Sequence, residues 1–258
     1  PEEPQRNLPP MDLGLTDKKA AVAAGSAGLG FGSALALANE GAHVVICGRR
    51  EDRLAHAAEL IGHGCRYLVH DVSDAAGGVA FVGAATELLG GLDLLVCNSG
   101  GPPPGTFEST EIEAYALALN LSLMSTVGMC KAAIPAMQAN GWGRVVAITS
   151  SSVRQPIPTL ILSNTARAGL TGFLKTVARE VAKDGVTVNS LQPGIHLTDR
   201  IRTVYGAEPD PTLMGIPSGT IGDPLDFGQA VAFLCSEQAR FITGTHTPVD
   251  GGQYAGLL

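Results

Sequence analysis

The chain has 258 residues, 45% of them apolar and only 16% charged, with a net charge of −7 at neutral pH. That length suits one sizeable α/β domain or two small ones, and the apolar share suggests a large buried core. The negative balance and the absence of any basic run leave no electrostatic ground for expecting nucleic acid or an anionic membrane as a partner.

Residues 1 to 12 read as a tail. Pro1 to Pro10 is proline-rich and acidic, without the basic head and apolar stretch of a secretory signal. No apolar run is read as approaching the roughly 18 residues of a membrane span, so no membrane partner is expected and a cytoplasmic location is. Cys47, Cys65, Cys97, Cys130 and Cys235 are odd in number and lack C-x-x-C spacing. They read as small core hydrophobes in a reducing compartment, and no metal site is expected.

From residue 19 to the end, short runs rich in Val, Ile and Leu alternate with longer helical stretches. The runs at 19–24, 43–47, 66–70, 92–97, 144–149 and 186–191, with a last one at 246–249, suit parallel strands buried on both faces. Helices are expected at 29–40, 51–63, 75–89, 110–140 and 163–184. In the last, Leu170, Phe173, Leu174, Val177 and Val181 recur every three or four residues and mark one apolar face. The alternation predicts βαβ units in a Rossmann-type, doubly wound parallel sheet of about seven strands, in three α/β/α layers. No repeat or linker divides residues 13 to 258, so one domain is expected. Residues 196–225, with Pro209, Pro211, Pro217 and Pro224, break the rhythm and read as a substrate loop or lid.

The first strand runs into Gly25, Ser26, Ala27, Gly28, Leu29 and Gly30, directly ahead of a helix. Glycines in such a turn let backbone N–H groups approach a diphosphate at a helix N-terminus, where the dipole favours anions. The second strand ends at Gly48, Arg49 and Arg50. An NAD site usually carries an acid near this point to hold the ribose 2′-hydroxyl. Two guanidinium forks suit a 2′-phosphate instead, which favours NADP(H) over NAD(H).

With these motifs in order, residues 13–252 resemble the short-chain dehydrogenase/reductase family, in particular its ketoacyl carrier-protein reductase-like branch. The resemblance sets alanines, Ala23 and Ala24, where the family's glycine turn begins with threonine and glycine. It implies adenine contacts from Asp71 and Val72 and a turn after strand four at Asn98, Ser99 and Gly100. It also implies nicotinamide and phosphate contacts from Pro193, Gly194, Ile195 and Thr198, and a closing Val249-Asp250-Gly251-Gly252. The family's catalytic asparagine and serine fall on Asn120 and Ser150. Its tyrosine and lysine fall on Ser163 and Arg167, so the implied active site is atypical.

Serine is a much weaker acid than a phenol, and arginine cannot relay protons as lysine can. His196 and Tyr205 are alternative proton donors in the sequence, while Tyr67, Tyr115 and Tyr254 read as packing residues. The absence of a G-x-S-x-G elbow argues against hydrolysis. Two functions stay open: an atypical NADP(H)-dependent oxidoreductase acting on a small carbonyl or alcohol, of 3-oxoacyl type among others, or a non-redox nucleotide-binding protein. The family also implies a homotetramer, with a dimer as the alternative.

Overall fold

The computed structural model describes residues 12–257. Of the expected tail, only Asp12 falls within that range, where its carbonyl accepts a hydrogen bond from Gln238 Nε2; Pro1 to Pro10 lies outside it. Seven strands form the sheet: β1 Lys19–Val22, β2 His43–Gly48, β3 Arg66–Val69, β4 Leu94–Cys97, β5 Gly143–Ile148, β6 Val186–Pro193 and β7 His246–Val249. All pair in parallel, in the order β3-β2-β1-β4-β5-β6-β7. The order reverses direction between β1 and β4, which opens a crevice at the carboxyl ends of the central strands. β1, β4 and β5 are almost wholly buried, as strands with a helical layer on each face must be.

Helices α1 Gly28–Asn39, α2 Glu51–Ile61 and α8 Pro224–Cys235 enclose one core with the sheet, around Leu37, Ile46, Leu54 and Phe227. On the other face α3 Ala75–Leu89, α5 Ser125–Ala139 and α6 Ile161–Val181 pack around Phe81, Met129, Met137 and Leu174. Local chemistry sets the ends of these helices. Asp74 caps α3 by accepting from Gly77 N at 2.8 Å, and Asp223 caps α8 by accepting from Leu225 N at 2.8 Å ahead of Pro224 at the first helical position.

Three expectations are corrected. The helix expected at 110–140 is a rod of three parts: α4 Ile112–Leu119, a π-turn at Asn120–Met124, and α5. Contrary to the sequence reading, this rod is long and apolar enough to cross a bilayer. Half of its most apolar window is buried inside the domain, however, so it serves as a core helix. Second, α8 follows directly on the stretch read as loop. Its small residues give only a weak amphipathic signal. Third, the loop region itself carries a short helix, α7 Asp199–Tyr205.

The small residues of α8 matter for packing. A methyl group on Gly228 would run into Gly32 O, and one on Gly32 into Pro224 O. The backbones of α1 and α8 therefore touch, which seats α1 firmly against α8. Gly228→Ala is expected to cost about 2–3 kcal/mol through overpacking and to lower Tm by roughly 5–10 °C, as read by calorimetry.

Candidate active site

The turn after β1 is built by close contacts. Gly25 N donates to Cys47 O at 3.0 Å and Ala23 N to Val96 O at 3.0 Å, tying the turn to both neighbouring strands. Gly28 has φ +56, a left-handed conformation that favours glycine. Asn98 Nδ2 donates to Ala24 O at 3.3 Å. Gly30 sits under both groups, and a Cβ there would lie 2.8 Å from the Asn98 amide and collide with Ala24 O. Helix α1 starts at Gly28 with no side-chain cap and no acid in its first turn. Its first N–H groups therefore face the cleft mouth, as an anion site requires.

Arg49 and Arg50 follow β2, exposed and without an ion pair or side-chain hydrogen bond among the described residues. Val72 is buried, while Asp71 is exposed and its carboxylate accepts from Ser73 N at 3.0 Å. These residues fit a dinucleotide with a 2′-phosphate: an uncapped helix mouth for the diphosphate and free guanidinium groups for the second anion.

A cleft of about 540 Å³ opens beside this turn. It brings together Ser150, Ser163 and Arg167 with Leu29, Asn98, Ser99 and Gly100 on one side and Pro193, Gly194 and Thr198 on another. Ile195 lines an adjoining cavity of about 540 Å³ that shares Ser150, Leu160 and Tyr205 with the cleft. Gly25, Ser26, Ala27, Gly28, Gly30, Arg49, Arg50, Asp71 and Val72 stand outside the cleft lining.

Ser150 begins a short 3₁₀ turn, and its Oγ accepts from Ser152 N at 3.1 Å. Ser163 and Arg167 sit one turn apart on α6, both buried. Arg167 Nη1 donates to Ile148 O at 3.0 Å. Burial, with Arg200 nearby, lowers its guanidinium to about 10.

Asn120 is placed differently from the sequence expectation. It is exposed and lies off the cleft, at the start of the π-turn. The inward face of the rod runs through Ala118, Ser122, Ser125, Thr126 and Met129, all buried, with the Oγ atoms of Ser122 and Ser125 unpartnered among the described residues. Residue 120 falls between the steps of that three-and-four spacing. Counting from Met129 and Ala133 back along the helix would have selected Ser122.

His196 lines the cleft and is buried in its wall. Its Nδ1–H donates to Gly194 O at 3.3 Å, and its ring meets Phe227 edge-on at 5.2 Å. Burial holds its pKa below the ordinary 6.5, so near neutral pH the ring carries no proton to give beyond the one bound to Gly194. Tyr205 stands exposed at the rim of both cavities. Sequence reasoning missed Arg200, which reaches across from α7 to Pro102 O at 3.4 Å. It also read Tyr254 as packing, whereas that residue lines the adjoining cavity. The thiols of Cys47, Cys65 and Cys235 are pushed up to about 12 by burial; Cys47 and Cys235 are core residues, whereas Cys65 is only partly buried at the core's edge.

A sequence profile described as enoyl-(acyl carrier protein) reductase matches residues 23–253. The chain belongs to the short-chain dehydrogenase/reductase family. It is 31% identical to the 3-oxoacyl-[acyl-carrier-protein] reductase of Vibrio cholerae over 242 residues, covering 94% of this chain and 99% of that one. The crystal structure of L-sorbose reductase from Gluconobacter frateurii, complexed with NADPH and L-sorbose, superposes with a TM-score of 0.88 at 31% identity, covering 96% and 100% of the two chains. A 7α-hydroxysteroid dehydrogenase complexed with NADH superposes at 0.87 with 26% identity, covering 96% and 98%. The family members are oxidoreductases, and a short-chain reductase is the activity class these relatives support.

The buried histidines give the fold a pH dependence. His196 and His246 both have pKa values lowered by burial, so between those values and 6.5 the unfolded chain binds more protons than the folded one. Stability is fully present above pH 6.5 and is lost as pH falls below it. Urea unfolding is expected to show a falling midpoint from pH 7 to pH 5, with a shallower fall for His196→Gln.

Proposed function

We propose that the protein is an NADP(H)-dependent oxidoreductase that moves a hydride between the nicotinamide and a small carbonyl or alcohol, through an atypical active site. The observation that carries this reading is one continuous cleft, running from Leu29 at the mouth of α1 to Ser150, Ser163 and Arg167. Bound NADPH would supply a hydride to the carbonyl carbon, and the carbonyl oxygen takes up one proton to give the alcohol and NADP⁺.

The chain's own residues orient the carbonyl and manage the charge on its oxygen. The Ser150 and Ser163 hydroxyls donate to that oxygen, and the proton passes from solvent through Ser163. Arg167, held against Ile148 O, grips the nicotinamide ribose, and its fixed positive charge favours the developing alkoxide. The preference for NADP(H) rests on Arg49 and Arg50, whose side chains have no competing partner among the described residues. A protein with a serine hydroxyl in place of a phenol keeps the positioning contribution to catalysis, worth roughly 7–11 kcal/mol when the reactants are well aligned.

A second reading is favoured by Ser163 and Arg167 themselves: a nucleotide-binding protein without redox turnover. The two are separated by following NADPH absorbance with a panel of ketones, oxo acids and 3-oxoacyl thioesters. Oxidation of NADPH by the wild type, reduced about 10²-fold in Ser163→Ala, supports the enzyme. No turnover with any of them, together with a gain in Ser163→Tyr/Arg167→Lys at unchanged NADPH affinity, supports the second reading. Replacing both Arg49 and Arg50 by Gln is expected to weaken NADPH binding roughly 10–100-fold while leaving NADH binding unchanged, as measured by fluorescence titration.

The proposed assembly is a homotetramer in the cytoplasm. Ile112, Leu117 and Met124 lie exposed along one rod, an apolar surface that a second copy would cover. Light scattering is expected to give a mass four times that of the 26.4 kDa chain.

A further inference from the structure

The cleft that holds Ser150 and Ser163 is lined by two arginines and by no aspartate or glutamate. A guanidinium offers five N–H donors. The protein accepts one from Arg167, at Ile148 O, and one at long range from Arg200, at Pro102 O. Neither side chain has an acidic partner among the described residues. Arg167 rises from α6 at the floor, and Arg200 comes from α7 in the loop region and lies against Gly101 in the turn beyond β4.

Two like charges facing one partly desolvated cleft repel, and Arg200 accordingly disfavours the charged form of Arg167. An anion between them would relieve that repulsion and take up donors of Arg200, and those of Arg167 that Ile148 O and the ribose leave free.

On the assignment made above, the diphosphate reaches this cleft at its α1 side, where Thr198 packs against Gly28, and the nicotinamide lies at the Ser150 and Ser163 side. The negative groups of the dinucleotide are the 2′-phosphate, assigned to Arg49 and Arg50, and the diphosphate at the mouth of α1. The nicotinamide and its ribose carry no negative charge. Past Ser150 the cleft continues into the adjoining cavity, whose wall includes Ile157, Pro158, Leu213, Met214 and Tyr254. The site therefore joins a cleft holding two guanidinium groups and two hydroxyls to a chamber walled by both apolar and polar side chains, Gln155 and Gln253 among the latter.

We propose that the substrate is an oxo or hydroxy acid whose carboxylate lies between Arg200 and Arg167 and whose apolar body occupies the chamber beyond Ser150. This rests on the reductase reading for its chemistry, but its binding side is tested without turnover. Calorimetric titration of the NADP⁺-loaded protein uses 4-phenylbutanoate and 4-phenylbutanamide as probes. The acid is expected to bind about 10–100-fold tighter than the amide. Arg200→Gln should remove that difference, Arg200→Lys should restore part of it, and the Kd for NADPH should stay within about twofold in both. In turnover, 2-oxo-4-phenylbutanoate should exceed its methyl ester in kcat/KM by a similar factor in the wild type and not in Arg200→Gln.

Equal binding of acid and amide by the wild type overturns the proposal. So does a loss of NADPH affinity in Arg200→Gln with the acid preference intact, which would make Arg200 a cofactor ligand. Preferential acid binding without reduction of any carbonyl removes the reductase reading and leaves the anion site standing. Reduction of neutral ketones without acid preference does the reverse.

Discussion

The site depends on how closely the chain approaches itself between residues 24 and 30. Three strands converge there: β1 delivers the turn, β2 holds it through Cys47 O, and β4 sends the Asn98 amide over it. Gly30 must have no side chain, because the space a methyl group would need is filled by Ala24 O and Asn98 Nδ2. That contact fixes where α1 begins, and the start of α1 fixes where its unpaired N–H groups point. The turn is held against a local cost. Ala24 has φ +48, a left-handed conformation that disfavours an alanine by roughly 1–2 kcal/mol, and its carbonyl is the one that Asn98 grips. Tertiary contacts outweigh the local preference at this point.

Charge is distributed unevenly around this frame. The chain as a whole is negative, yet Arg49, Arg50, Arg167 and Arg200 all gather at the carboxyl ends of the strands, none of them ion-paired with an acid among the described residues. A positive crevice on a chain of net negative charge gives an anion a local reason to bind there. The field is sharper because the crevice walls are largely protein. His196, neutral by burial in the cleft wall, adds nothing to that positive field above pH 6.5.

Much of this was legible in the sequence because the physics is local. Val- and Ile-rich runs of four to six residues have few alternatives to buried parallel strands, and a glycine turn between strand and helix has few uses other than gripping phosphate. The losses came where local pattern and tertiary role part company. Helix α8 carries a readable start in Asp223 and Pro224, but its Gly228 and Ala232 give no apolar stripe. Its packing relies on backbone contact with α1, which a hydrophobic pattern does not register. Asn120 was matched by the motif around it, whereas the π-turn and the buried stripe through Ser122 decide what faces inward. Arg200 lies in a segment without periodicity, and only the fold shows that it spans the crevice to reach Pro102.

The join between α1 and α8 bears on how the loop above the cleft can change. The loop leaves the core at Ile195 and returns at Gly222, where those two residues and Leu197 pair backbone to backbone. One residue later Asp223 caps α8, whose first carbonyl touches Gly32 of α1. The returning stem is thus welded, through two residues of chain, to α1. Diversification is confined to the span between the stems, around Leu213 and Met214. There the chamber wall can be rebuilt while the glycine turn and α1 keep their geometry.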